Sequence, residues 1–359
     1  MTARSKLNLT RFTKLTAFAL LFAGAAWRLP AATDTLKPAA SAQELGIPFD
    51  RYTTTDKFGR TITFYVSIPP QGDTTTRRPV AVWVQGSGAQ SLFKKQGEGI
   101  AGGYQNILRD EAKGRARVLI VEKPGVKFLD APARPGGAEG ASEEFLREHT
   151  LERWGEANLA ALRAAWTLPG IDSARTIALG HSEGGITVAW IAAHEPRITH
   201  VATLAGGGPT QLFDFAEFRR QPRPDDQPGD AEKRVQALYT DWEKIQRDPE
   251  SIAQFWLGHP YRRWSGFVPH SVTELLVTAK ARVLAVQGAA DTSVSVKSFD
   301  VLVADLKSKG RDVTALRLEG ADHGFNTADV PRGSPAGMRS MMGRALAWFF
   351  AELGASAAK

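Results

Sequence analysis

The sequence predicts an α/β protein: a mostly parallel sheet with helices on both faces and one helical insertion. Three observations lead there. Short runs rich in β-branched residues recur along the chain, nearly continuous in hydrophobicity, as strands covered on both faces are. Segments with apolar residues at helical spacing separate them, the alternation that right-handed crossovers produce. One long stretch, 211–278, breaks the alternation and carries no strand pattern, as an insertion above a sheet edge does.

In chain order, residues 1–42 come first. They hold six basic residues and one acidic one, and so account for +5 of the formal charge of +7. Basic and polar positions 4–14 run into an apolar stretch, 15–26, too short to span a bilayer comfortably, followed by small residues. That is the layout of a secretory signal peptide and spacer, so export to a periplasm or beyond is expected. Ala23-Gly24-Ala25 and Ala40-Ser41-Ala42 both fit as cleavage sites. The alternative is an uncleaved anchor, which would make the leader the chain's contact with a membrane. The charge left for the remaining residues, about +2, describes an ordinary surface, so nucleic acid is not an expected partner. The chain has no cysteine, which removes disulfides, thiolate nucleophiles and sulfur-ligated zinc or iron.

A first core segment, 43–210, opens with an alternating strand at 61–68 that Pro69-Pro70 ends. Further strands are predicted at 79–85, 117–121, 175–179 and 200–204, and a helix where Leu151, Trp154, Leu159, Leu162 and Trp166 recur. The insertion 211–278 passes through a turn-rich segment at 221–230 and then reads as mostly helical, with Trp242, Phe255, Trp256 and Trp264; we take it as a cap. A second core segment, 279–359, supplies strands at 282–287 and 313–318. Its helices carry Phe299, Leu302, Val303 and Leu306, then Met338, Met341, Ala345, Trp348 and Phe349. These aromatic and methionine side chains are read as core. With 43% hydrophobic residues the chain can fill it.

Chemistry concentrates at Gly180-His181-Ser182-Glu183-Gly184, where the strand at 175–179 meets a helix. G-x-S-x-G in that setting is a nucleophile elbow, with glycines where the strand–helix junction leaves no room for a side chain. Ser182 is therefore the candidate nucleophile. A hydroxyl needs a base and the base needs a partner. His323 follows the strand at 313–318 in Gly-Ala-Asp-His-Gly-Phe, at the strand end where open α/β sheets place their sites. Asp291 follows the strand at 282–287 and completes the order Ser, Asp, His; Asp322 is its rival. His181 is read as packing or pocket lining, and His149, His194, His200, His259 and His270 as surface or cap residues. For the oxyanion hole, the Glu183 N–H is expected as one donor and Ser87 N–H as the other, with Gly88 as alternative, in the loop Gln85-Gly-Ser-Gly-Ala89. Gly206-Gly-Gly-Pro209 lacks the Lys-Ser/Thr of a nucleotide loop, and no metal-ligand spacing is present, so neither cofactor nor metal is expected.

With the elbow GHSEGG, the loop QGSGA, Asp291 in GAAD and His323 in GADHGF in order over about 50–350, the chain resembles the α/β-hydrolase superfamily. The elbow looks most like bacterial serine esterases related to dienelactone-hydrolase-like and peptidase-like members. The resemblance implies an eight-stranded, mostly parallel sheet with Ser182 as nucleophile, His323 as base and Asp291 as its partner. Gln85 stands where many members have His, and a serine stands where true dienelactone hydrolases have cysteine. The expected function is an exported serine hydrolase acting on small esters. A peptidase or amidase using the same triad is the alternative, and a binding protein on the same fold is the alternative from another class. A peptidase that reads a free amine needs carboxylates at the site, for which Asp225, Asp226, Glu243 and Glu183 are candidates.

Overall fold

The structure, a computed structural model, describes residues 36–357 apart from 71, 72, 74, 133 and 332, with side chains to residue 351. The expected leader up to residue 35, with its upstream cleavage site, lies outside the described residues. The described residues begin with α1 (Ala42–Leu45), β1 (Phe49–Thr55), β2 (Thr61–Ser67), β3 (Arg78–Val84), β4 (Phe93–Gln96), β5 (Gly99–Gly102), α2 (Tyr104–Ala112) and β6 (Arg117–Val121). They continue through α3 (Glu143–Glu148), α4 (Leu151–Ala165), β7 (Ile171–His181), α5 (Glu183–His194) and β8 (His200–Leu204). The 211–278 stretch follows, with α6 (Gln211–Arg220), α7 (Asp230–Arg247), β9 (Phe255–Trp256), β10 (His259–Pro260), α8 (Tyr261–Phe267) and α9 (Val272–Thr278). β11 (Arg282–Gly288), α10 (Val296–Ser308), β12 (Val313–Leu318) and α11 (Ala336–Ala357) close the chain.

Eight strands form one sheet in the order β1-β2-β6-β3-β7-β8-β11-β12. β1, β2 and β6 run antiparallel to their neighbours in turn, and from β6 to β12 every pairing is parallel. All seven expected strands are members. The eighth, β1, was not expected: its Phe-Asp-Arg-Tyr-Thr-Thr-Thr sequence buries Phe49 and Tyr52 alone, so no period-2 pattern marks it. It is held by register with β2, from Phe49 opposite Ser67 to Thr55 opposite Thr61. The β4–β5 hairpin also escaped the sequence, because Lys94, Lys95 and Gln96 lie exposed.

Strand residues leave the sheet alternately, as the pleat requires. Val80, Val82 and Val84 pack with Leu159 and Leu162 of α4 and Ile186 and Trp190 of α5, whereas Ala81 and Trp83 pack with Leu108 of α2 and Met342 and Phe349 of α11. Truncating a fully buried leucine in such a layer typically costs about 2–5 kcal/mol. Both faces are thus covered.

The segment before β1 is tied into this fold. Leu36 packs against the core, Ala40 bridges Arg51 of β1, and Ser41 caps α1 reciprocally with Glu44. Among the described residues no helix is long and apolar enough to cross a membrane.

Candidate active site

The parallel register brings the C-terminal ends of five strands, β3, β7, β8, β11 and β12, to one rim: Val84 lies opposite Gly180, His181 opposite Leu204, and Gly288 opposite Leu318. Gln85, Ser182, Asp291 and His323 all follow those ends. Ser182 adopts φ 57° and ψ −124°, a left-handed conformation that L-residues rarely take and that functional turns hold under strain. Its N–H donates to Leu204 O at 2.9 Å and its carbonyl accepts from Gly185 N at 2.8 Å. The flanking glycines are dictated by contact: a Cβ on Gly180 would sit 2.0 Å from Gly184 O, and one on Gly184 2.1 Å from Val84 O.

Asp291 and His323 come together. His323 Nδ1–H donates to Asp291 Oδ2 at 2.8 Å. Gln287 Nε2 donates to that same oxygen at 2.8 Å, while Oδ1 accepts the N–H groups of Ser293 and Val294 at 2.7 and 3.0 Å. Burial opposes ionisation of Asp291, but His323 and these amides hold its carboxyl below the usual range. The two loops are laced by main-chain bonds from Ala289 N to Leu318 O and from Ala290 N to Ala321 O. Asp322 turns elsewhere. Its Oδ1 accepts from Gly324 N and Asn326 N at 2.8 and 2.9 Å, so its carboxylate organises the loop's own backbone.

Ser182 and His323 line one cavity of about 340 Å³, together with Trp83, Gln85, Gly86, Ser87, Gln90, Ser91, Leu92, Gly103, Tyr104, Gln105 and His181. None of these belongs to 211–278. The cap's tryptophans pack on one another instead: Trp256 and Trp264 meet edge to face at 5.0 Å with Phe215 beside them. The cavity walls come instead from the segment 83–105, the elbow and the His323 loop. Gln85 lines the cavity, and its amide nitrogen is buried without a hydrogen-bond partner among the described residues. Below the cavity, Glu122 accepts from Ser91 Oγ at 2.7 Å and Leu92 N at 3.3 Å, and burial pushes its carboxyl up to about 8.

His181 lines the cavity and donates from Nε2 to His323 O at 2.7 Å; burial pushes it down to about 4, so it is neutral near pH 7. His149 and His200 are buried, against the expectation of surface or cap positions, and His259 is buried within the 211–278 stretch. His149 is 2% exposed because it reaches the carboxylate that follows Ser182, and His200 is 5% exposed between the rings of Trp348 and Phe349.

That carboxylate, Glu183, heads a cluster the sequence reading missed. Oε1 accepts from His149 Nε2 at 2.8 Å and Lys123 Nζ at 3.1 Å, and Oε2 from Arg263 Nη2 and Nε at 2.7 and 3.1 Å. All four side chains are at most 2% exposed. Burial works against the charge, yet His149, Lys123 and Arg263 hold Glu183 well below its ordinary value. The available signal was a Glu-Lys pair directly behind the apolar run 118–121 of the fully buried strand β6, at the functional end of the sheet. Asp226 pairs with Arg234, Glu243 with Arg247, and Asp225 is exposed, so none of the four candidate carboxylates lines the cavity. Among the described residues no group of three or more His, Asp or Glu is arranged to hold a metal ion.

No family model and no curated protein matches the sequence. Solved structures do. Dipeptidyl peptidase 4 of Porphyromonas gingivalis superposes with a TM-score of 0.54 at 15% identity, over 84% of this chain and 35% of that one. Acylaminoacyl peptidase of Pyrococcus horikoshii gives 0.55 at 17%, over 84% and 41%. Est1E of Butyrivibrio proteoclasticus gives 0.51 at 16%, over 85% and 99%. The chain thus spans well under half the length of the two peptidases and nearly all of Est1E. These neighbours are peptidase and esterase members of one superfamily, and the superpositions together with the eight-stranded, mostly parallel sheet show that the chain has the α/β-hydrolase fold.

Proposed function

We propose that the protein is a serine hydrolase that cleaves carboxylic esters through an acyl-enzyme. The observation that carries this reading is the Asp291–His323 hydrogen bond on the rim of the cavity that the strained Ser182 enters. Ser182 Oγ attacks the ester carbonyl as its proton passes to His323, and Asp291 stabilises the imidazolium formed. The tetrahedral oxyanion takes the N–H groups of Glu183, the first residue of α5, and of Ser87, with Gly88 as the alternative donor; each contributes roughly 3–4 kcal/mol. Collapse breaks the bond to the leaving alcohol, which His323 protonates. Water then attacks the acyl group, gives its proton to His323, and the acid departs as Ser182 regains its proton. No step calls for a cofactor.

Two observations favour an ester over a peptide with a free amine. Glu183 is spent on Lys123, His149 and Arg263, and the other candidate carboxylates lie away from the cavity. The peptidases it is similar to have more than half their length outside the match, whereas Est1E is matched over 99%. Competing p-nitrophenyl acetate against an aminoacyl anilide tests this: faster turnover of the ester supports it, and preference for the anilide makes the protein a peptidase or amidase. Failure of Ser182 to label with a fluorophosphonate would favour a binding protein.

We also propose export, with processing before residue 36. The composition of residues 1–26 supports this, and the built-in segment 39–45 speaks against cleavage at Ala40–Ala42. N-terminal sequencing of the exported protein decides between the two sites and an uncleaved anchor.

A further inference from the structure

Lys123 is fully buried beside Glu183, although Arg263 already meets that carboxylate with two hydrogen bonds. A second buried cation costs desolvation that neutralising one carboxylate does not require. What Lys123 does alone is hold the loop after β3. Its Nζ donates to Gly86 O at 2.7 Å and to Gly88 O at 3.1 Å, so its three protons are taken by two carbonyls and Glu183.

A trans peptide unit carries its C=O and N–H on opposite sides. Drawing Gly86 O toward Lys123 therefore turns the Ser87 N–H away from Lys123, on the cavity wall that Gly86, Ser87, Ser182 and His323 share. The next two peptide units are pinned as well. Ser87 O accepts from Gln90 Nε2 at 3.0 Å, and the unit joining Gly88 to Ala89 is held at both ends, by Lys123 on the carbonyl and Gly137 O on the N–H at 3.1 Å. The same ammonium reaches Glu183, whose own N–H opens α5 and lacks an intrahelical acceptor. One side chain thus links the two segments that supply the proposed oxyanion donors.

We propose that Lys123 is a positioning residue that sets the direction of the Ser87 N–H and its spacing from the Glu183 N–H. The inference rests on Ser182 being a nucleophile. Removing Lys123 leaves Glu183 paired with Arg263 and His149, so the fold retains a neutralised carboxylate while the two carbonyls lose their donor.

The test compares the rate of phosphonylation of Ser182 by a fluorophosphonate in wild type, Lys123→Met and Arg263→Met. It also compares kcat and KM for p-nitrophenyl acetate per labelled site. The phosphoryl oxygen needs the same donors as an ester oxyanion, and the probe requires no knowledge of the natural substrate. Lys123→Met is expected to label and turn over about 10²-fold more slowly, the scale of one lost oxyanion donor, with KM little changed. Arg263→Met removes a cation from the same carboxylate without touching either carbonyl. It is expected to lower the melting temperature and to leave kcat per labelled site within a few-fold. Should Lys123→Met fail to fold, Lys123→Leu, which likewise offers the two carbonyls no donor, is measured against the same criteria. Equal rates for the Lys123 variant and wild type, or equal losses in the Lys123 and Arg263 variants, overturn the inference. A wild-type protein that never labels overturns the nucleophile reading itself, and this inference with it.

Discussion

His323 Nδ1 lies 2.8 Å from Asp291 Oδ2, across two loops that leave neighbouring parallel strands, while Asp322, adjacent to His323 in sequence, spends its carboxylate on main-chain amides. Asp291→Asn disturbs the tautomer of the ring and the stabilisation of imidazolium, and is expected to lower kcat by about 10⁴-fold. Asp322→Asn keeps an oxygen able to accept from Gly324 and Asn326 and is expected to stay within about tenfold of wild type. Initial rates on p-nitrophenyl acetate for the two variants check this; the reverse ranking would reassign the acid.

This pair marks how far the sequence could be read. The positions of Ser182, Asp291 and His323 could be read because each follows a strand pattern and a glycine-containing turn. Those of Lys123, Arg263 and His149 could not. They meet only after β6, α8 and the turn before α4 have packed, and nothing in their neighbours announces a buried charge. β1 was invisible for a related reason, since its partner strand and not its own alternation fixes it. Nothing local to the cap's tryptophans says whether they face a pocket or one another. Packing decides for the latter, and that information lies in long-range contacts.

Gly180→Ala places a methyl group 2.0 Å from Gly184 O, against main chain that cannot swing aside. It is expected to destabilise the protein by about 3 kcal/mol or more and to abolish activity at any temperature where the elbow is distorted. Urea unfolding gives the stability; a variant as stable as wild type would mean that the elbow is looser than described.

Glu183→Gln leaves Lys123 and Arg263 buried without their anion. The loss expected is about 3–5 kcal/mol, read as a lower urea midpoint at pH 7. A neutral effect would show that the cluster does not rely on the charge of Glu183.

Glu122 gives a pH dependence with a definite sign. Burial raises its folded pKa from 4.5 to about 8, so the folded protein holds this proton more tightly than the unfolded chain does. Stability from this group is full below about pH 4.5 and declines as pH rises toward 8, by about 1.4 kcal/mol per pH unit. Glu122→Gln removes the decline. Urea unfolding of both proteins from pH 5 to 9 should show the variant gaining on wild type up to about pH 8 and holding its lead beyond; parallel curves would show that Glu122 is ionised in the fold.

The most direct test of the account is turnover of p-nitrophenyl acetate by wild-type protein and by Ser182→Ala, with circular dichroism showing both folded. The account expects the wild type to hydrolyse the ester and the variant to be reduced to background. A variant that hydrolyses it at the wild-type rate would remove Ser182 from the chemistry and contradict the proposed mechanism.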